Sequence, residues 1–427
     1  MFLMISAAAP ALAGEAEDWA VHGQSTFIEQ YHPAFHSPYR GPNSMDPGSR
    51  GNETVNATLY AGARPWDGGE AWANGEIDQG FGLSNTLGAA AFPNGQGSKV
   101  GKSEPYFRLH RLFFRQTFDL GGEEEDLAPS ANQLGGSRTH DNLVLTMGKF
   151  GTVDIFDANS YAHDPANDFL NWAVIDTGSF DYAADAWGYS YGVAAEWNTG
   201  DWTLRGGFFD LSRVPNGTEL TRGFGQYQVD AELERRFQLL GHDGKAKILG
   251  FANRGEFGRY DDAVAHGLAL SQLPDTATVR RPSFRPGIVV NLEQGISDDL
   301  GAFLRAGMTD GSREADEFTD IDNSIAVGLS LKGASWARRD DTIGLVLESG
   351  GISPAAQRYL AAGGLGILVG DGRLPNYGRE TVVEAYYSAA LFKGVALTAD
   401  YQFIANPAYN PDRGPISVLG LRLHGQF

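Results

Sequence analysis

Gln226-Tyr227-Gln228-Val229-Asp230-Ala231-Glu232-Leu233-Glu234-Arg235-Arg236 is the stretch on which the fold turns. Tyr227, Val229, Ala231 and Leu233 fall on one side of an extended chain, and Gln226, Gln228, Asp230, Glu232, Glu234 and Arg236 fall on the other, because successive side chains of a strand point to opposite faces. The same period of two returns downstream. Val395, Leu397, Ala399, Tyr401 and Phe403 oppose Thr398, Asp400 and Gln402, while Ile325, Val327, Leu329 and Leu331 oppose Ser324, Ser330 and Lys332. Such blocks run for roughly 9 to 12 residues, the length a tilted strand needs to cross a bilayer. A soluble sandwich also alternates, so the connections between blocks decide.

Strands read from Trp19, Thr54, Ala71, Pro105, Asn142, Trp187, Trp202, Phe224, Lys245, Pro286, Leu300, Asn323, Asp341, Glu380, Val395 and Ile416 number about sixteen, an even count as bacterial single-chain barrels have. Connections alternate between short and long. Turn chemistry fills the short ones, as in Asn198-Thr199-Gly200-Asp201, Gly241-His242-Asp243-Gly244 and Lys393-Gly394. Long ones at 32–52, 151–186 and 350–378 belong on the opposite, extracellular rim. Segment 121–140 is the exception, long where a periplasmic turn is expected. Strand four, 106–118, changes parity between Arg108 with His110 and Arg111 with Arg115, which implies a β-bulge. Trp19, Tyr31, Trp187, Trp197, Trp202, Phe392 and Phe427 gather near block ends and read as interfacial girdles. An open edge in hydrocarbon leaves N–H and C=O groups unpaired at several kcal/mol each, so the first strand must pair with the sixteenth. The expected fold is all-β: a transmembrane antiparallel β-barrel around an aqueous lumen.

Composition agrees. With 42% hydrophobic residues, a mean hydropathy of −0.28 and 56 glycines among 427 residues, the chain is too polar for a helical membrane protein, and no internal run approaches the roughly 20 apolar residues of a spanning helix. The net charge of −20 repels a phosphate backbone and argues against nucleic acid. Acidic clusters, Glu123 with Glu124, Glu125 and Asp126 among them, read as solvated loop surface. Zero cysteines removes disulfides, thiolate nucleophiles and thiolate zinc sites. Residues 1–13 read as a signal-peptide remnant ending in Ala11-Leu12-Ala13, and 14–427 as one barrel domain. At the other end Leu419, Leu421 and Leu423 alternate with Gly420, Arg422 and His424, and the terminal Phe427 resembles the mark read by the outer-membrane assembly machinery.

No catalytic constellation, cofactor or metal is expected. Gly95-Gln96-Gly97-Ser98-Lys99-Val100-Gly101-Lys102-Ser103 imitates a phosphate loop, but its first glycine is one residue off, and Pro105 blocks the helix that should follow. His163, Asp164 and Asp168 match neither a zinc helix nor a calcium loop. Ser353-Pro354 opens a short capped helix that Gly363 stops.

Several segments resemble the carbohydrate-selective porins of the OprB family. They include Gly23-Gln24-Ser25-Thr26, Tyr31-His32-Pro33-Ala34-Phe35, Arg111-Leu112-Phe113-Phe114-Arg115-Gln116-Thr117-Phe118 and Gly148-Lys149-Phe150, with Asp154-Ile155-Phe156-Asp157, Asp168-Phe169-Leu170-Asn171-Trp172 and Asp181-Tyr182-Ala183-Ala184-Asp185-Ala186-Trp187-Gly188. The resemblance implies a sixteen-stranded outer-membrane pore passing mono- and oligosaccharides down their gradient, with 151–186 folded inward as the constriction. Within that loop Asp154, Asp157, Asn159, Asp168, Asp176 and Asp181 offer acceptors to sugar hydroxyls, and Trp172 and Tyr182 offer flat apolar faces. Arg108, Arg111, Arg115 and Lys149 are placed opposite them as donors. The same charges could instead only pair with the loop and hold it. The rival functions are a barrel enzyme of lipase or protease type and a general, non-selective porin. Sugars, outer-membrane lipid and lipopolysaccharide are the expected partners, and the barrel is a monomer or a homotrimer. Purified protein is expected to need detergent and to show heat-modifiable gel migration; full dispersal in plain buffer would contradict this reading.

Overall fold

The computed structural model describes residues 16–427 apart from Ser98 and Thr319, so the signal-peptide reading of 1–13 lies outside the described residues. The alternating blocks become strands β1 (Trp19–His32), β2 (Arg50–Ala63), β3 (Gly69–Gly80), β4 (Lys102–Leu127), β5 (Gly136–Phe150), β6 (Ser190–Thr199), β7 (Trp202–Asp210) and β8 (Tyr227–Leu239). They continue with β9 (His242–Phe257), β10 (Arg281–Gly295), β11 (Leu300–Thr309), β12 (Asn323–Gly333), β13 (Arg338–Gly351), β14 (Glu380–Phe392), β15 (Val395–Ala405) and β16 (Ile416–Gln426). Each pairs antiparallel with its neighbours, and β16 returns to β1 from Gln24↔Gln426 to Tyr31↔Leu419, closing a barrel of sixteen strands among the described residues. Gly23 and Phe427 exchange backbone hydrogen bonds at 3.1 and 3.0 Å, so the last residue completes the seam. A Cβ at position 23 would overlap the Phe427 ring as it is placed, so glycine lets that ring lie across the seam.

The wall is inverted relative to a soluble protein. On β8, Val229 and Leu233 are 45% and 40% exposed, whereas Asp230 and Glu232 are 2% and 1% exposed. Apolar side chains face lipid and charged ones face inward. No helix among the described residues is long and apolar enough to cross a membrane.

Between β3 and β4 the register jumps, with Asn74 opposite Arg111 and Gly75 opposite Leu109. His110 is the extra residue of the expected bulge, so Arg108 and His110 on one side of the shift and Arg111 and Arg115 on the other all turn inward. Segment 121–140 is not a long loop. β4 and β5 run past the membrane with irregular pairing out to Leu127↔Gly136, so Glu123 to Asp126 lie on strand and the turn is only 128–135. Trp187 is not a girdle residue either; it precedes β6, donates to the Tyr106 hydroxyl at 3.0 Å and stacks on Arg108. The capped helix forms as α1 (Pro354–Ala361), with the Ser353 hydroxyl accepting from the Ala356 N–H at 3.1 Å.

The third outer connection, 151–189, folds into the barrel, and the wall from β8 to β16 holds it there. Glu384 accepts from the N–H groups of Leu170 and Asn171 at 2.5 and 3.1 Å, and Gln228 accepts from Ala183 at 2.7 Å. Arg305 donates to the carbonyls of Ala162, Val174 and Asp157 at 2.5–2.8 Å, and Arg422 to those of Pro165, Asp168 and Asn167 at 2.7–2.9 Å. The backbone groups of an irregular buried segment need partners, and these side chains supply them. Aromatic side chains complete the seat: Phe169 packs edge-on against Phe303 and Tyr386 at 5.8 and 4.9 Å.

A second connection, 81–101, also turns inward. Ala89 to Phe92 are buried, Ala90 and Ala91 donate to Glu380, and the Pro93 carbonyl accepts from both Gln30 and Gln402 at 2.8 Å. Arg305→Ala strips the buried Asp157 of its cation and three carbonyls of their donor. Roughly 3–5 kcal/mol of local stability should be lost, seen as new protease cleavage within 151–189 and a larger open-channel conductance.

Candidate functional site

The two inserted connections fill the side of the lumen against β8–β16. What remains is a cavity of ≈ 540 Å³ against the opposite wall, lined by strand residues of β1 to β5. That size lies within the roughly 300–1,000 Å³ typical of small-molecule sites. On the outer side its lining includes Phe92, Lys99, Trp172, Tyr182 and Phe318; in the middle Tyr60, Arg111, Asp154 and Tyr189; and toward the periplasm Arg115 with residues 130–133 of the β4–β5 turn.

Arg111 and Asp154 face each other across the middle section. Arg111 Nε donates to Asp154 Oδ2 at 2.7 Å and Nη2 to Oδ1 at 2.6 Å, a two-pronged pair of the geometrically specific kind. Burial alone would raise the Asp154 carboxyl, but Arg111 and the Gly151 N–H hold it below its ordinary range. Arg111 also lies over the Tyr189 ring at 4.8 Å. Further in, Arg115 pairs with Glu70 at 3.3 Å and donates to the Asn132 carbonyl at 2.8 Å, tying the periplasmic turn beneath the cavity. Glu17 and Arg64 hold the adjacent Gly135 from the other side. Toward the outside, Trp172 stacks on Phe92 at 5.1 Å and packs against Phe318 and Tyr182 at 5.1 and 5.7 Å.

Of the residues expected at the constriction, Arg111, Arg115, Asp154, Trp172, Asp176 and Tyr182 line this cavity. The others stand behind it. Arg108 and Lys149 both reach Asp185, at 3.7 and 3.0 Å. Asp157 is fully buried, accepting from Thr177 N–H and Asn291. Asn159 donates to Asn291 at 2.8 Å, and Asp168 accepts from the N–H groups of His163 and Asp164. Asp181 takes Arg285, Asn253 and the N–H groups of Asp316 and Glu317. These are ties within the loop seat.

The sequence reading did not single out Tyr60, Asp78 or Tyr189, and it gave no site role to the 128–135 turn, all at the cavity or beneath it. It also missed the inward turn of 81–101, although Ala89-Ala90-Ala91-Phe92-Pro93 is apolar where an exposed loop should be polar.

A closed sixteen-stranded barrel, apolar outside, charged and hollow inside, and narrowed by inserted outer connections, defines an outer-membrane porin. Residues 43–427 match the family described as carbohydrate-selective porin, OprB family, and the chain belongs to that family. Among solved structures it is similar to OprB of Pseudomonas putida, determined at high pH, with 15% identity, a TM-score of 0.73, and 96% of this chain and 94% of that one covered. It is also similar to the outer membrane channel DcaP of Acinetobacter baumannii, with 11% identity, a TM-score of 0.51, and 97% and 100% covered. At such identities the likeness establishes the fold. No curated protein sequence matches the chain. The protein is an outer-membrane sugar channel, and its family and fold are those of channels rather than enzymes.

His163 and Asp176 stand 3.5 Å apart in the cavity wall. Burial opposes charge on the ring, but Asp176 more than offsets it, so His163 titrates above its ordinary 6.5. A raised folded value means the pairing is complete below 6.5 and lost as pH rises through that folded value. The wall then loses one positive charge. Reversal potentials in a salt gradient should therefore shift toward cation preference as pH rises above 6.5, and His163→Gln should abolish the shift.

Proposed function

We propose that sugars cross along the β1–β5 wall and are selected where Arg111 and Asp154 meet between Tyr60 and Tyr189. The observation that carries this is the two-pronged Arg111–Asp154 pair in the wall of the cavity, flanked by two aromatic rings. A pyranose ring presents hydroxyls that both donate and accept, together with C–H faces. The guanidinium donates, the carboxylate accepts, and the rings cover the apolar face. The cation and anion balance each other, so a neutral polyol can exchange its water for these groups without a bare charge being left behind. Trp172 and Tyr182 serve as the outer landing surface, with Asp176 beside them, and Arg115 hands the solute on above the periplasmic turn. Arg108, Lys149, Asp157, Asn159, Asp168 and Asp181 act on selectivity by keeping the loop in place. Outside the barrel the apolar belt meets lipid and lipopolysaccharide, and Phe427 is the residue offered to the assembly machinery.

Planar-bilayer recordings with glucose-type saccharides as blockers test the assignment. Removing a charge-assisted hydrogen bond costs about 1.5–3 kcal/mol, so Arg111→Ala should weaken sugar block about tenfold or more while raising open-channel current. Arg115→Ala should have a smaller effect. Sugar block unchanged in both variants would remove the constriction from this place.

A further inference from the structure

Glu76 and Asp78 are two residues apart on the inward face of β3, and the bulge at His110 turns that imidazole toward them from β4. His110 Nε2 lies 3.3 Å from Asp78 Oδ2 and 3.6 Å from Glu76 Oε1, and one donor atom from each of the three falls within 4.8 Å of the others. Two donors each about 2.0–2.2 Å from a common ion are separated by roughly 2.8–3.1 Å at octahedral angles and roughly 3.3–3.6 Å at tetrahedral angles. The His110–Asp78 and His110–Glu76 distances both fall at the tetrahedral edge length.

Two further observations point the same way. Each donor is oriented from behind, as the ligands of metal centres are: the Thr58 hydroxyl donates to Glu76 Oε2 at 2.5 Å, the Asn56 amide donates to Asp78, and the Tyr189 ring stacks on His110 at 4.4 Å. Second, no Lys or Arg forms a salt bridge with Glu76 or Asp78 among the described residues; the guanidiniums on the same stretch of β4 are engaged by Asp185, Asp154 and Glu70. Two carboxylates that are 9% and 3% exposed thus share one imidazole. Asn56, Glu76, Asp78 and His110 all line the cavity, which leaves coordination positions open to the lumen.

We propose that Glu76, Asp78 and His110 bind one divalent transition-metal cation in the channel wall. One imidazole with carboxylate oxygens suits Zn²⁺, Co²⁺ or Mn²⁺ and is a poor match for the all-oxygen preference of Mg²⁺ or Ca²⁺. Spacing along the chain does not reveal the set, because the bulge and the strand pairing create it. The site stands independently of the sugar reading.

The test is titration of Co²⁺ and Zn²⁺ into the chelator-stripped, detergent-solubilised full chain, followed by calorimetry and by the visible absorption of bound Co²⁺. One ion per chain is expected, with absorption bands that change on binding and no competition from millimolar Mg²⁺. His110→Ala and the double variant Glu76→Gln, Asp78→Asn should lower affinity at least tenfold while keeping heat-modifiable migration, and His266→Ala on the outer surface should bind like the parent. Absence of a stoichiometric ion, or binding unchanged by His110→Ala, would overturn the site.

Discussion

Everything in this molecule follows from the need to pair each backbone N–H and C=O in a medium that offers no water. The need is met only when the sheet closes, and the Gly23–Phe427 exchange is where it closes. Closure with sixteen strands has a geometric cost, because a barrel of that circumference cannot be filled by its own side chains. A lumen of that width would discriminate little between solutes, so selectivity has to come from chain inserted into it.

Inserted chain brings the original problem back inside the barrel, since irregular backbone also carries polar groups. Glu384, Gln228 and Glu380 accept from its N–H groups, and Arg305 and Arg422 donate to its carbonyls. Charged side chains suit this role because hydrogen bonds to ionised groups are roughly twice as strong as neutral ones. They lie on the inner face of the wall, where alternation puts charge in any case. The polar half of the period-two pattern is thus largely a socket for loops, and only part of it faces the solute.

That division explains what could be read in advance. Strands, closure, the bulge on β4 and the alternation of short and long connections were legible because they rest on local periodicity and turn chemistry. β5 starts at Gly136 rather than Asn142 because its hairpin with β4 outlasts the membrane, and no lipid-facing pattern marks such an extension. Within the third connection the resemblance supplied the inward fold, but it could not sort one aspartate from another. Asp154 meets Arg111 at the cavity, whereas Asp181 meets Arg285 in the wall, 104 residues away in the chain. Only pairing across the barrel separates them. One usable signal did exist: Phe251 and Phe303 are apolar residues at inward positions, and they trace the footprint of the seated loop.

The off-centre path has its own consequence. On the proposed path a permeating molecule slides along a curved strip bounded by one arc of the wall and one flank of the packed chain, without meeting the opposite arc. The barrel therefore separates its tasks by circumference: one sector can be altered to suit a new solute without disturbing the seat, while the other sets the width of the gap from a distance.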